Sequence, residues 1–133
     1  SNFNIETTAI TFESGQHNEM LAVNRAIAAI VNLMRTIHMV NEHDVESVHD
    51  ELLISHSKHL PALTELICRH PIDETDKFKM LPNFKNFQKV EKDQVLAKDK
   101  SGPIVAPQDC MILMPLYQNQ GEDGFFLVKQ INT

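Results

Sequence analysis

Apolar residues recur at helical spacing through the first third of the chain and return in short, punctuated runs through its second half. Met20, Val23, Ile27, Ile30, Met34 and Ile37 follow one another at intervals of three or four positions, which predicts a helix. Leu21, Ala26, Ala28, Ala29 and Val31 widen the stripe until most of the circumference is apolar. Such a helix is expected to pack inside a larger body, against a partner sheet that the chain itself does not supply. Before it, Thr7 to Phe12 carries the β-branched and aromatic residues of a short buried strand, and Ser14-Gly15 breaks it. After it, Val45, Val48 and Leu52 mark one face of a second helix that ends before Pro61. Glu42, Asp44 and Glu46 then fall in its first turn, where the helix dipole favours negative charge.

From Ala62 to Ile72 the pattern is that of an extended crossing, and Pro71 suits a strand's end better than its middle. Turn signals are dense beyond it. Leu81-Pro82-Asn83, Lys98 to Gly102 and Gln120 to Gly124 separate strands expected near Phe84–Val90, Gln94–Ala97, Ile104–Ala106, Met111–Leu116 and Phe125–Gln130. The fold class is therefore α+β, with a boundary near residue 60: strand and helices over 1–60, a β-rich part over 61–133. Composition agrees with that boundary, since all seven histidines precede Pro71 and five of the six prolines lie at or beyond it.

A content of 42% hydrophobic residues in 133 is enough for a core. The net charge of -6, without any clustering of Lys or Arg, argues against nucleic acid or an anionic membrane as partner. The longest apolar run, Ala26 to Val31, is far too short to span a bilayer. Two cysteines without a close pair, Cys68 and Cys110, read as reduced, semi-buried thiols, which favours the cytoplasm. No secretory signal opens the chain, and Ser1-Asn2 has the look of a cloning remnant at a truncation point.

The segment Ile104 to Val128, two apolar strands around the acidic, Gly-bracketed loop Gln118-Asn119-Gln120-Gly121-Glu122-Asp123-Gly124, resembles the C-terminal β-domain of the succinylglutamate desuccinylase/aspartoacylase family. These are zinc-dependent amide hydrolases built on a carboxypeptidase-like core. Ile10-Thr11-Phe12-Glu13-Ser14-Gly15-Gln16-His17 is similar to the strand that delivers that family's catalytic glutamate. The resemblance implies the end of a carboxypeptidase-like α/β domain followed by a small β-domain. The stretch Val95-Leu96-Ala97, Gly102 and Val105 to Asp109 is in turn similar to the half-repeat of biotinyl/lipoyl-type barrel-sandwich domains. The implied activity is hydrolysis of the amide of an N-acyl amino acid, or of an ester, with zinc held by ligands in a missing N-terminal part of the same polypeptide. No residue of this chain is assigned as a metal ligand, and this chain alone is expected to be inactive and zinc-free.

Glu13 is the catalytic candidate. A carboxylate after a buried strand and before a glycine turn sits where open α/β sheets place their ligand sites. On spacing alone, a surface acid at a strand end is the commoner outcome; the resemblance is what selects general acid/base chemistry. Ser14, Gly15 and Gln16 would shape the turn, and His17 would contact substrate or, by preference, cap the next helix. His43-Asp44-Val45-Glu46 also spells H-x-x-E, with His49 nearby; on a helix these could share a metal, but their place after Glu13 makes the match a coincidence of composition. Tyr117, Glu122 and Asp123 are the substrate-side candidates that the resemblance implies, in a loop leaning over the active-site mouth; a plain hairpin anchored by Phe125 and Phe126 is the structural alternative. Arg69 could grip a substrate carboxylate or serve as an ion-pair partner. The competing function is a non-catalytic barrel-sandwich module for binding or oligomerisation. It would need a modifiable lysine at a hairpin tip, near which stand Lys98 and Lys100. Substrate identity and oligomeric state, a homo-oligomer included, are left open.

Overall fold

The computed structural model describes residues 9–15, 19–119 and 121–131, and the chain divides into two compact units, one up to His59 and one from Leu60. Among the described residues the fold is mixed α+β, with two α-helices and two antiparallel sheets that close no barrel.

In the first unit, α1 (Ala22–Thr36) follows the apolar periodicity. It ends in a reciprocal pair of carbonyl caps: His38 N donates to Arg35 O at 3.0 Å and Met39 N to Met34 O at 2.8 Å. His38, at φ 58, takes the left-handed position usually filled by glycine. Helix α2 (Val48–Ser57) starts later than the acid pattern suggests, with Asp50 and Glu51 in its first turn. The cause lies in residues 41–47. Asp44 Oδ2 accepts from Asn41 N and Nδ2, closing a local turn, and Arg35 donates to the Val45 and Glu46 carbonyls that a longer helix would need for itself. Glu42, Asp44 and Glu46 therefore lie in the connection. The expected strand is not found either: Thr7 and Thr8 lie outside the described residues, and Ala9 to Phe12 form no strand. Ile10 and Phe12 are exposed, and among the described residues of this unit no strand is available to pair with the β pattern.

The described residues of the second unit form seven strands, β1 (Thr64–Pro71), β2 (Lys79–Met80), β3 (Gln88–Val90), β4 (Val95–Asp99), β5 (Gly102–Val105), β6 (Cys110–Leu113) and β7 (Asp123–Gln130). One sheet has the order β1-β7-β6-β3 and the other β2-β4-β5. They share one core of Met80, Phe84, Val90, Leu96, Ala97, Ala106, Cys110, Ile112, Phe125 and Leu127. Neighbouring Leu96 and Ala97 are both fully buried, which simple alternation forbids; a register shift between Val95 and Ala97 turns both inward. Phe84 to Phe87 lie outside β3 because Asn83 and Phe87 adopt positive φ, and Met114, also at positive φ, stops β6 before Pro115. The β4–β5 turn is tighter than the expected Lys98–Gly102 loop. Lys98 and Asp99 belong to β4, only Lys100 and Ser101 form the tip, and Asp99 Oδ1 accepts from Ser101 N and Gly102 N.

Asp73, Thr75 and Asp76 form a capped short turn that meets this tip, with Lys100 Nζ 2.9 Å from Asp76 Oδ1. The hydrogen bond from Lys100 and the Asp73 backbone hold the Asp76 carboxyl below its ordinary value of 3.8, and backbone and side-chain hydrogen bonds from Thr75 do the same for Asp73. A carboxyl depressed in the folded state adds stability above its unfolded value and loses it as pH falls through the folded one. Acid unfolding should therefore set in less steeply for Asp76→Asn than for the wild type below pH 3.8, as read by circular dichroism during acid titration. Identical profiles would dismiss the contribution of this contact.

Both cysteines are free, Cys68 half-buried and Cys110 buried, and burial pushes the Cys110 thiol up. Among the described residues no helix is long and apolar enough to cross a membrane.

Candidate functional site

Glu13 belongs to the first unit, in a segment without regular structure that leads into α1. It is exposed and forms no hydrogen bond or ion pair with any described residue. The turn beside it is firmly held. Arg25, one turn into α1, donates from Nη1 to Ser14 O at 3.1 Å and from Nη2 to Glu19 Oε1 at 2.7 Å. That bond to Glu19 raises the pKa of Arg25. Gly15, at φ 127, lies beneath this ion pair, and a β-carbon there would run into both the Glu19 carboxylate and the Arg25 guanidinium. The positive φ is what calls for glycine, since the two side-chain tips could swing aside only by giving up their present positions. Gln16 and His17 lie outside the described residues.

A polar cleft of about 780 Å³ opens elsewhere in this unit, among Asn32, Arg35, His38, Glu42, His43 and Asp50. Glu13 is not in its lining. Arg35 is bonded to Asp50, whose other oxygen accepts from Asn32 Nδ2 at 2.7 Å, so the cleft floor is an internally satisfied network apart from the buried Arg35 Nε. His43 and Glu46 sit in the connection before α2, where the shared helix face assumed for an H-x-x-E pair does not arise. Among the described residues no group of three or more His, Cys, Asp and Glu is gathered as a metal-ligand set.

The remaining candidates lie in the second unit, around the start of β7. Arg69 Nε donates to Asp123 Oδ1 at 2.6 Å, joining two of them, and this bond raises the pKa of Arg69. Glu122 is held through its backbone, its carbonyl accepting from Ile72 N at 2.8 Å. Leu116 N donates to Gly124 O at 2.9 Å, closing the loop on itself. Tyr117 has a role that sequence reasoning missed. Its hydroxyl donates to Leu81 O and accepts from Phe84 N, both at 2.8 Å, while Asn86 Oδ1 accepts from Met114 N at 2.6 Å. The loop is thereby tied at two points to the turn before β3. Spacing gives no signal for bonds that span 28 to 36 residues. Phe125 anchors this strand in the core, where its ring stacks on His70 at 4.9 Å, whereas Phe126 is only half-buried. Gly124 completes the seat: a β-carbon would approach Phe78 Cζ to 2.5 Å.

Because the Tyr117 hydroxyl satisfies two backbone groups at once, Tyr117→Phe is expected to lower unfolding free energy by about 1–2 kcal/mol in urea titrations. A change within error would mean that water replaces the hydroxyl without loss.

No family model, curated protein or solved structure was found to match the chain.

Proposed function

We propose that this chain is the C-terminal portion of a zinc-dependent hydrolase that cleaves the amide bond of an N-acyl amino acid, with Glu13 as general acid/base. The first support is the resemblance carried by Ile10 to His17 and Ile104 to Val128. The structural observation that bears most on it is the arrangement of α1. Val23, Ile27, Ile30, Leu33 and Ile37 are all exposed, while the face carrying Arg25, Ala28, Asn32 and Arg35 makes the contacts within the unit. An amphipathic helix with its apolar stripe outward and its polar face satisfied is shaped to be covered by a further apolar layer. In a carboxypeptidase-like fold that layer is a sheet. Docking α1 on it would bring the Glu13 turn, hooked to α1 by Arg25, to the sheet's margin.

Glu13, exposed and bonded to no described residue, would take a proton from the attacking water and return it to the nitrogen of the leaving amine, the two transfers an amide hydrolysis needs. Zinc, when bound, makes that water acidic. The described residues do not make a zinc site, so its ligands would come from beyond them. The cytoplasm, with its free thiols, suits such a protein.

The carrier alternative finds one observation in its favour, Lys100 at the β4–β5 tip. Its ammonium, however, is held by Asp76 at 2.9 Å and by Thr75 at 3.3 Å instead of standing clear.

The test is to express the longest natural polypeptide containing this chain, measure its zinc, and assay release of free amino acid from N-acyl amino acids. Equimolar zinc with turnover is the expected result. Absence of either sinks the proposal.

A further inference from the structure

We infer that Arg25 is the positioning residue of Glu13: by holding the Ser14 carbonyl against α1 it sets the direction of the carboxylate, and it acts on the reaction only through that turn. This rests on the deacylase reading and adds the element that aims its proton shuttle.

Residues 9–15 form no helix or strand, so no backbone ladder fixes where Glu13 faces. Among the described residues they make a single hydrogen bond, the one that Ser14 O accepts from Arg25 Nη1 at 3.1 Å. It falls one residue beyond Glu13, and Gly15, at φ 127, turns the chain directly after it. The donor is itself well held. Arg25 N donates to Leu21 O and Ala22 N to Glu19 O, both at 3.0 Å, which ties Glu19 and Arg25 to the first turn of α1. Glu19 Oε1 then takes Arg25 Nη2 at 2.7 Å, and the Arg25 side chain is only 18% exposed.

This arrangement separates aiming from contact. The two terminal nitrogens of Arg25 are divided between Ser14 O and Glu19, so the planar fork that a ligand's carboxylate would need is spent inside the chain. The guanidinium keeps its charge at any working pH, so the brace persists while a carboxylate beside it gains and loses protons. A general acid/base must stand within hydrogen-bond reach of the proton it moves, and a displacement of about 1 Å can cost about 10²-fold in rate. Holding the next peptide group removes backbone freedom before substrate arrives, so that cost is not met during the reaction.

The experiment uses the longest natural polypeptide containing this chain, loaded with zinc and assayed on an N-acyl amino acid that it turns over. Arg25→Gln should lower kcat about tenfold with KM and bound zinc near wild type. In a Glu13→Ala background the same substitution should have no further effect, because nothing is left to aim. A merely structural role would cost the same in both backgrounds. Arg25→Lys, whose single ammonium can reach Ser14 O without being divided between two acceptors, should recover part of the loss. Where Arg25→Gln does not fold, Glu19→Gln, which loosens the guanidinium at its more exposed partner, should give the same pattern on a smaller scale. A kcat within about twofold of wild type, a rise in KM in place of the fall in kcat, or an undiminished loss in the Glu13→Ala background overturns the role of Arg25 and leaves the hydrolase reading intact. A wild-type polypeptide without any turnover removes both.

Discussion

On the proposed deacylase function, Glu13→Ala in the longest natural polypeptide containing this chain is expected to lower kcat by about 10²–10⁴ while zinc content and thermal stability stay at wild-type values. The combination matters more than the rate alone. Glu13 is exposed and makes no bond to a described residue, so its removal opens no cavity and leaves no buried group unpaired. A rate loss without a stability loss therefore points to the reacting atoms. Glu13→Gln should behave similarly, because an amide of the same shape cannot shuttle the proton. A variant retaining more than half of the wild-type kcat would refute the assignment, and loss of zinc in step with activity would instead make Glu13 part of the metal's surroundings.

Phe125→Ala should cost about 3–5 kcal/mol of unfolding free energy, measured by urea denaturation. Phe125 is 1% exposed, stacks on His70 with rings 5° from parallel, and lies 6.4 Å from Phe78 by ring centroids. The void would open beside His70 and Phe78, the ring on which Gly124 packs, so order at the start of β7 should fall together with stability. Phe126→Ala, at the half-buried neighbour, is the control and should cost clearly less. Equal losses at the two positions would mean that the ring packing described here does not govern the unit.

Much of the architecture was legible where local rules act alone. The helical repeat from Met20 to Ile37 foretold α1, and the β-rich second half followed from its turn residues. Misreadings fell where a distant side chain intervened. Arg35 takes the carbonyls of Val45 and Glu46, so α2 begins at Val48 although the acids at 42, 44 and 46 favour an earlier start. Left-handed backbone at Asn83 and Phe87, neither of them glycine, shortened the strand expected from Phe84. Strand β2, two residues long, has no periodicity to detect and exists through its pairing with Lys98 and Ala97. Among the site candidates, the pairing of Arg69 with Asp123 spans 54 residues and has no trace in spacing. For Glu13 the residue pattern carries a chemical type and a glycine two positions on; that it bonds to no described residue is visible only in the structure.

The hook formed by Arg25 has a mechanical consequence. Since this one guanidinium grips both Ser14 O and Glu19, the direction in which the preceding turn faces is written in the phase of the helix. Inserting a single residue between Glu19 and Arg25 would rotate the grip by roughly 100° around the axis. Such an insertion would redirect the turn without altering any residue in it.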